Sequence, residues 1–300
     1  MAKPSAWIVY SAVATLIFFN AMIWIQKSDG QQARMAVLLS EKASQDTAIQ
    51  MKAESERRDV EKMKAYSMQQ VSGRKRVLTD VMNGGVNSNY ANLYETLTAE
   101  VECPGKIRVG TIGDGGKWTC NPWSVPQDSV LFTFGLNNAI TFEADWQKML
   151  SDRSVIYAFD SAEQSTETKK LLSNVRGQSK KALISTETNP SEDKFTMIDL
   201  AKEYNLTEIE ILKIDIEGAE KECLIPFLQK FPVCQMYIEM HGSASAHAKL
   251  IQKIAALKYR LFSYEVNGAA IAACEYSYIH ETCIDKYGGH RVVNFLDFTN

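Results

Sequence analysis

The sequence contains no Cys-x-x-Cys pair, and its six cysteines, at 103, 120, 223, 234, 274 and 283, do not cluster with its four histidines. Structural zinc needs such ligands at short paired spacings, so no metal is expected. Positive charge is not in excess either. Lys and Arg number 33 against 36 Asp and Glu, a net charge of −3, which argues against a surface built for phosphate backbones, and no nucleic-acid partner is expected. The glycine turn Phe134-Gly135-Leu136-Asn137-Asn138 lacks the second and third glycines of a dinucleotide fingerprint. Proline is absent from 26 to 76, and charge is absent from Trp7 to Ile25.

An uncharged run of about 19 residues, WIVYSAVATLIFFNAMIWI, spans roughly 28 Å as a helix and fits a bilayer once. Trp7 and Tyr10 at one end and Trp24 at the other suit the two headgroup regions. A cleaved signal peptide competes with this reading. However, the run exceeds a usual signal core, and Gln26-Lys27-Ser28-Asp29 offers no clear small-x-small site. Residues 7–25 are therefore expected to be a transmembrane signal-anchor helix behind a short tail, 1–6, with the membrane as partner. Lys3 and the amino terminus on one flank match Lys27 and Arg34 on the other, so charge does not set the orientation. The sequon Asn205-Leu206-Thr207 is usable only in a lumen, and the expectation is a type II single-pass protein of the Golgi or endoplasmic reticulum with a lumenal catalytic domain. An even cysteine count is compatible with disulfides there: Cys103/Cys120 and Cys274/Cys283 are close enough in sequence to pair. Buried thiols are the alternative.

Residues 26–76 read as an exposed helical stem of interspersed charge. Leu38, Ile49, Val60 and Val71 recur every eleventh position, which places them on one stripe able to support a homodimer. A solvated spacer is the competing reading. Arg74-Lys75-Arg76 closes the stem, as a processing site or a solvated boundary.

The remainder, 77–300, is the globular domain. VLFTFG (130–135), VIYAFD (155–160), KALIS (181–185), EILKIDI (210–216) and QMYIEM (235–240) alternate with amphipathic stretches, the pattern of a parallel α/β sheet. RLFSYEV (260–266) is followed by strands near EYSYIH (275–280) and RVVNFLDF (291–298) with no helix between, which suits antiparallel neighbours. A doubly wound sheet ending in an antiparallel hairpin is the Rossmann-like class I methyltransferase arrangement.

Ligands of such sheets sit at the carboxyl ends of the strands, beside the first strand. There the sequence places Gly135, where backbone can approach a ligand, and Asp160, able to accept both hydroxyl protons of a ribose or to cap the next helix. Asp215 with Glu217 and Glu239 with His241 are each spaced by two and project to one side. Carboxylates and an imidazole converging on one rim are costly unless they bind a cation or handle protons. They can serve as a general base, as ligands for a hard or borderline metal, or as partners of a sulfonium charge. Capping by Glu217 and a surface position for His241 form the bland alternative.

ILKIDIEGAE (211–220), YAFDS (157–161), MIDLAKEY (197–204) and YIEMHG (237–242) occur in the order and spacing of the FkbM-type methyltransferases, which the chain resembles. GDGGKWTCNPW (113–123) and FGLNNAITFEADW (134–146) are similar to an animal, single-pass membrane branch. The resemblance covers roughly residues 103 to 298. It implies a Rossmann-like fold and S-adenosylmethionine as cofactor, with Gly135 and Asn137 against its methionine part and Asp160, followed by Ser161, at its ribose. Asp215 and Glu217 would face the transfer site. Where many members carry an acidic residue before the glycine turn, this chain has Phe132-Thr133-Phe134, which leaves Glu143 or Asp114 as the substitute carboxylate.

The reading is methyl transfer to a hydroxyl of an unknown acceptor, with the acceptor's proton taken by Asp215, Glu217, Glu239 or His241. A membrane-anchored nucleotide-sugar glycosyltransferase, in which Asp215-Ile216-Glu217 holds Mn²⁺, is one alternative. A methyltransferase-fold binding domain without catalysis is the other.

Overall fold

The structure, a computed structural model, describes residues 6–298, with side chains described from Arg34 onward except Ala36. Helix α1 (Ala6–Met82) runs through the expected anchor and stem. The side chains of residues 7–25 lie outside the described residues. Among the described residues no helix is long and apolar enough to cross a membrane.

The chain forms two compact units, 1–61 and 62–300. In the first, Leu38 and Ile49 of the expected stripe are exposed. In the second, Val71 packs against the main core and Leu78 and Val81 are fully buried within it. The final turns of α1 thus belong to the globular unit. Its basic cluster is docked: Arg74 donates to the Gln70 side chain and to the Thr96 carbonyl at the end of α2 (Tyr90–Thr96), and Lys75 lies 3.6 Å from Asp297.

Seven strands build the central sheet: β1 (Val130–Phe134), β2 (Val155–Asp160), β3 (Gly177–Lys181), β4 (Ile209–Ile214), β5 (Val233–His241), β6 (Tyr259–Val266) and β7 (Ala273–His280). Their order is β6-β7-β5-β4-β1-β2-β3. The β5/β4, β4/β1, β1/β2 and β2/β3 pairs are parallel, while β7 runs antiparallel to both β5 and β6. Parallel strands covered on both faces are mostly apolar, which is why β1 and β4 read as near-continuous apolar runs, interrupted in β4 by Glu210 and Lys213. Phe132, Phe134, Leu212 and Ile214 face one core, shared with helices α5 (Met197–Glu203), α6 (Glu220–Leu228) and α7 (Ala244–Ala256). Leu131, Ile156 and Ile211 face the other, which takes in α3 (Thr141–Leu150) and Leu172 of α4 (Thr166–Asn174).

Two strand expectations need correction. KALIS is split: β3 ends at Lys181, and Leu183–Ile184 turns away to pair with Lys194–Phe195. RVVNFLDF is not a sheet strand. Only His290–Arg291 pairs, with Val101–Glu102, and the apolar residues that follow enter the core as a strap. The strap's backbone is satisfied by buried Glu100, whose Oε1 accepts the Phe295 and Leu296 amides at 2.7 and 2.9 Å.

Disulfides join Cys103 to Cys120, one of the two pairings the spacing allowed, and Cys234 to Cys283. Cys274 does not pair with Cys283 because the two lie in different cores on opposite faces of the sheet. Cys223 and Cys274 are free and buried.

His247 of α7 is buried, with Nδ1 2.9 Å from the Tyr276 hydroxyl. Burial pushes its pKa down to about 4. The folded state therefore resists a proton that the unfolded chain takes up near pH 6.5. The associated stability, on the order of 3 kcal/mol, is complete above that pH and lost as pH falls towards 4. Thermal unfolding is expected to drop by roughly 6–12 °C across this window from that source, and His247→Gln should flatten the dependence. Equal slopes in the two proteins would refute the assignment.

Candidate functional site

The strand order reverses between β1 and β4, and the carboxyl ends of β1, β2, β4 and β5 open there into a cleft of about 710 Å³. That size suits a ligand of small-molecule dimensions. Gly135, Asn137, Asp160, Ser161, Asp215, Glu217, Glu239 and His241 all line it, together with Asp114 and Asn267. Eight of the nine site residues expected from sequence therefore share one hollow, and the ninth, Glu143, does not.

Gly135 has φ +79°, and a Cβ on it would stand 1.7 Å from the Asp215 carbonyl oxygen. The glycine is required here by the neighbouring backbone at the end of β4. Sequence alone suggested a ligand's approach as the reason. The turn continues with Asn137 at φ +46° and Asn138 at +58°, left-handed positions that asparagine tolerates in place of the missing glycines.

Asp160 fastens this turn to the end of β2. Its Oδ2 accepts the Leu136 and Asn137 amides, each at 2.7 Å, and its Oδ1 accepts the Ala162 amide at 2.8 Å. A carboxylate offers about four acceptor positions, so one remains for a ribose hydroxyl.

Glu143 lies beneath the floor of the cleft, fully buried. Its Oε1 accepts the Thr133 hydroxyl at 2.8 Å and stands 3.3 Å from the Lys213 ammonium, which also donates to the Gly135 carbonyl at 3.2 Å. The carboxylate expected to face the cofactor instead neutralises a lysine that props the turn. A lysine inside the otherwise apolar run of β4 was the sequence signal for this partner.

The acidic rim has a different origin from simple strand alternation. β4 ends at Ile214, and Glu217 sits in a left-handed turn at φ +56°, its side chain largely exposed. Glu239 and His241 do sit two apart on β5. The His241 Nε2 is 3.5 Å from Glu217 Oε2 and 3.9 Å from Glu239 Oε1, and its Nδ1 is 3.7 Å from Glu220 Oε1. Burial, reinforced by the Glu275 and Asp215 carboxylates, raises the Glu239 pKa to about 8. Burial also raises Glu275, directly across the β5/β7 ladder, although buried Lys117 pairs with it. Glu220, Glu275 and Lys117 were not expected as site residues. Each is brought in by tertiary pairing, which single-strand patterns do not display.

Strand order, antiparallel tail and cleft position together define the class I methyltransferase fold. Residues 52–280 match the family described as "Methyltransferase domain", and the chain belongs to it. It is an S-adenosylmethionine-dependent methyltransferase. Among solved structures it is similar to M. capricolum TrmK in complex with S-adenosyl-homocysteine, at 9% identity over 53% of this chain and 66% of that one, with a TM-score of 0.35. Aeropyrum pernix fibrillarin with natively bound S-adenosyl-L-methionine gives 10% identity, 58% and 83% coverage and a TM-score of 0.38. Precorrin-6y C5,15-methyltransferase from Geobacter metallireducens gives 10%, 53%, 83% and 0.34. Comparison with curated proteins gave no match.

Proposed function

We propose that the chain transfers a methyl group to a hydroxyl oxygen of its acceptor, within the FkbM-type branch of methyltransferases. The observation that carries this reading is the single cleft shared by Asp160 and the carboxylate and imidazole tips of the β4 and β5 ends. The cleft suits the donor. Its volume is adequate, Asp160 keeps one free acceptor position, and its acidic lining complements a cationic sulfonium. Bound S-adenosylmethionine supplies the electrophilic methyl carbon.

In this reading Gly135 and Asn137 border the donor's methionine part, and Asp160 and Ser161 border its ribose. The acceptor lies over Asp215, Glu217, Glu239 and His241, which orient its hydroxyl and take its proton as the oxygen attacks in line. Tritiated methyl donor incubated with a membrane extract and the full chain should label an acceptor. Asp215→Asn should lower the label transferred by about 100-fold while leaving S-adenosylhomocysteine affinity within a few-fold. Undiminished transfer by that variant removes Asp215 from the chemistry.

Asp160→Ala should weaken S-adenosylhomocysteine binding by at least about 10-fold in titration calorimetry, because three backbone amides lose their acceptor and the turn loosens. Membrane anchoring through 7–25 and a lumenal domain complete the proposal. The two disulfides support the lumenal placement, since such bonds persist in oxidising compartments.

A further inference from the structure

The charge lining the cleft is unbalanced. Asp114, Asp215 and Glu239 line it, and Glu275 stands across the ladder from Glu239. The buried cations are already engaged, Lys117 with Glu275 and Lys213 with Glu143, while the exposed Lys221 stands at the rim beside Gly242. Two of these acids are deeply buried, Glu239 at 4% and Glu275 at 8% exposure. A bare buried carboxylate charge is strongly unfavourable and is relieved either by a proton or by a cation.

The ligand geometry narrows what that cation is. One donor atom each of Asp215, Glu239 and His241 lies within 4.8 Å of the other two, as does one each of Asp114, Glu239 and Glu275, with Glu239 common to both sets. Independent signs come from buried atoms that lack partners. Glu275 Oε2 has no hydrogen-bond partner, although its residue is nine-tenths buried beside Glu239. His241 Nδ1 is likewise unpartnered, and so is Oε2 of Glu220, a residue 1% exposed whose Oε1 stands 3.7 Å from that nitrogen. A cation on His241 Nε2 would fix the proton on Nδ1, aimed at Glu220, which is the carboxylate support that metal-bound imidazoles normally have.

We infer that Asp215, Glu239 and His241 bind a divalent cation of the Mn²⁺ or Mg²⁺ class, with Glu220 as the outer partner of the imidazole, and that the acceptor hydroxyl completes its coordination. Two carboxylates and one imidazole suit hard to borderline ions, which keep positions open for water or substrate. The inference rests on the methyl-transfer reading and departs from the sequence expectation of no metal. In the reaction the acceptor's O–H proton passes to Glu217 and on to solvent, and the oxygen–methyl bond forms. The methyl–sulfur bond breaks with its electron pair going to sulfur, leaving a neutral thioether. The cation gains and loses no electron; it polarises the hydroxyl and holds it in line.

The test uses the full chain, stripped with chelator and titrated with Mn²⁺ by electron paramagnetic resonance and calorimetry, in the presence and absence of S-adenosylhomocysteine. The expected result is one Mn²⁺ per chain, bound with or without the cofactor product. Affinity should fall at least 10-fold in His241→Asn and in Glu239→Gln, with circular dichroism unchanged. Glu220→Gln should weaken binding to a smaller extent. His241 is half-buried, so its variant remains informative if Glu239→Gln fails to fold. S-adenosylhomocysteine binding with no Mn²⁺ or Mg²⁺ binding at millimolar concentration overturns the metal site and leaves the methyl-transfer reading standing. Mn²⁺ binding that survives both ligand substitutions also overturns the site. Mn²⁺ binding lost in those variants, in a chain that does not bind the cofactor product, supports the site and overturns methyl transfer.

Discussion

Gly135→Ala is expected to abolish detectable S-adenosylhomocysteine binding and to lower thermal stability. Two independent penalties act at this position. The backbone is at φ +79°, a conformation that costs an L-residue about 1–2 kcal/mol, and the added methyl would overlap the Asp215 carbonyl at 1.7 Å. The second penalty cannot be relieved by a rotamer, because backbone geometry fixes the alanine Cβ and its neighbour is a backbone carbonyl. It requires the β1 turn and the β4 end to separate, and the pairing between them includes the 3.0 Å bond from the Asp215 amide to the Phe134 carbonyl. The Asp160 clamp and the Asp215 tip would move apart with them, so the cleft loses both walls at once. Titration calorimetry of the folded variant checks this directly. Cofactor-product affinity equal to that of the unaltered chain would show that the turn is more pliable than its packing indicates.

Lys213→Met carries the second large effect. Lys213 and Glu143 are both buried, and the ammonium also holds the Gly135 carbonyl. Removing the lysine leaves a carboxylate in the core with only the Thr133 hydroxyl for company. Breaking one half of a buried pair typically costs about 3–5 kcal/mol, and for a unit of this size the unfolding midpoint should fall by roughly 6–20 °C. Adding Glu143→Gln removes the stranded charge while keeping an acceptor for Thr133. The double variant should therefore recover a good part of the loss, which is the signature of direct coupling. A single variant as stable as the unaltered chain, or additive losses in the double, would contradict the pairing.

These two predictions mark the line between what the sequence displays and what only the folded chain can. The sheet was legible because strands covered on both faces are mostly apolar, and VLFTF, VIYAFD and ILKI stand out for that reason despite Asp160 and Lys213. The antiparallel tail was legible because the link between β6 and β7 is too short for a helix. The fate of 291–298 was not: its alternation suits a strand, and only Glu100, far away in sequence, satisfies its amides as a strap. In the site, strand-end acids announced themselves by position. Their partners did not. Whether Asp160 faces ligand or backbone depends on the neighbouring turn, and Glu143 reads as an ordinary acid in the first turn of α3 until Lys213 is seen beside it. Buried counter-charges such as Lys117 with Glu275 join residues far apart in sequence and leave no local pattern.

The last turns of α1 set how far the chain can be trimmed from its amino-terminal side. Leu78 and Val81 are core residues, and the Met82 carbonyl accepts the Ser245 hydroxyl of α7 at 2.6 Å. Proteolysis after Arg74-Lys75-Arg76 would strip Val71 and the docked arginine from the surface they cover, so a trimmed product would begin life already weakened. A trimmed form that keeps these contacts should start no later than Lys62.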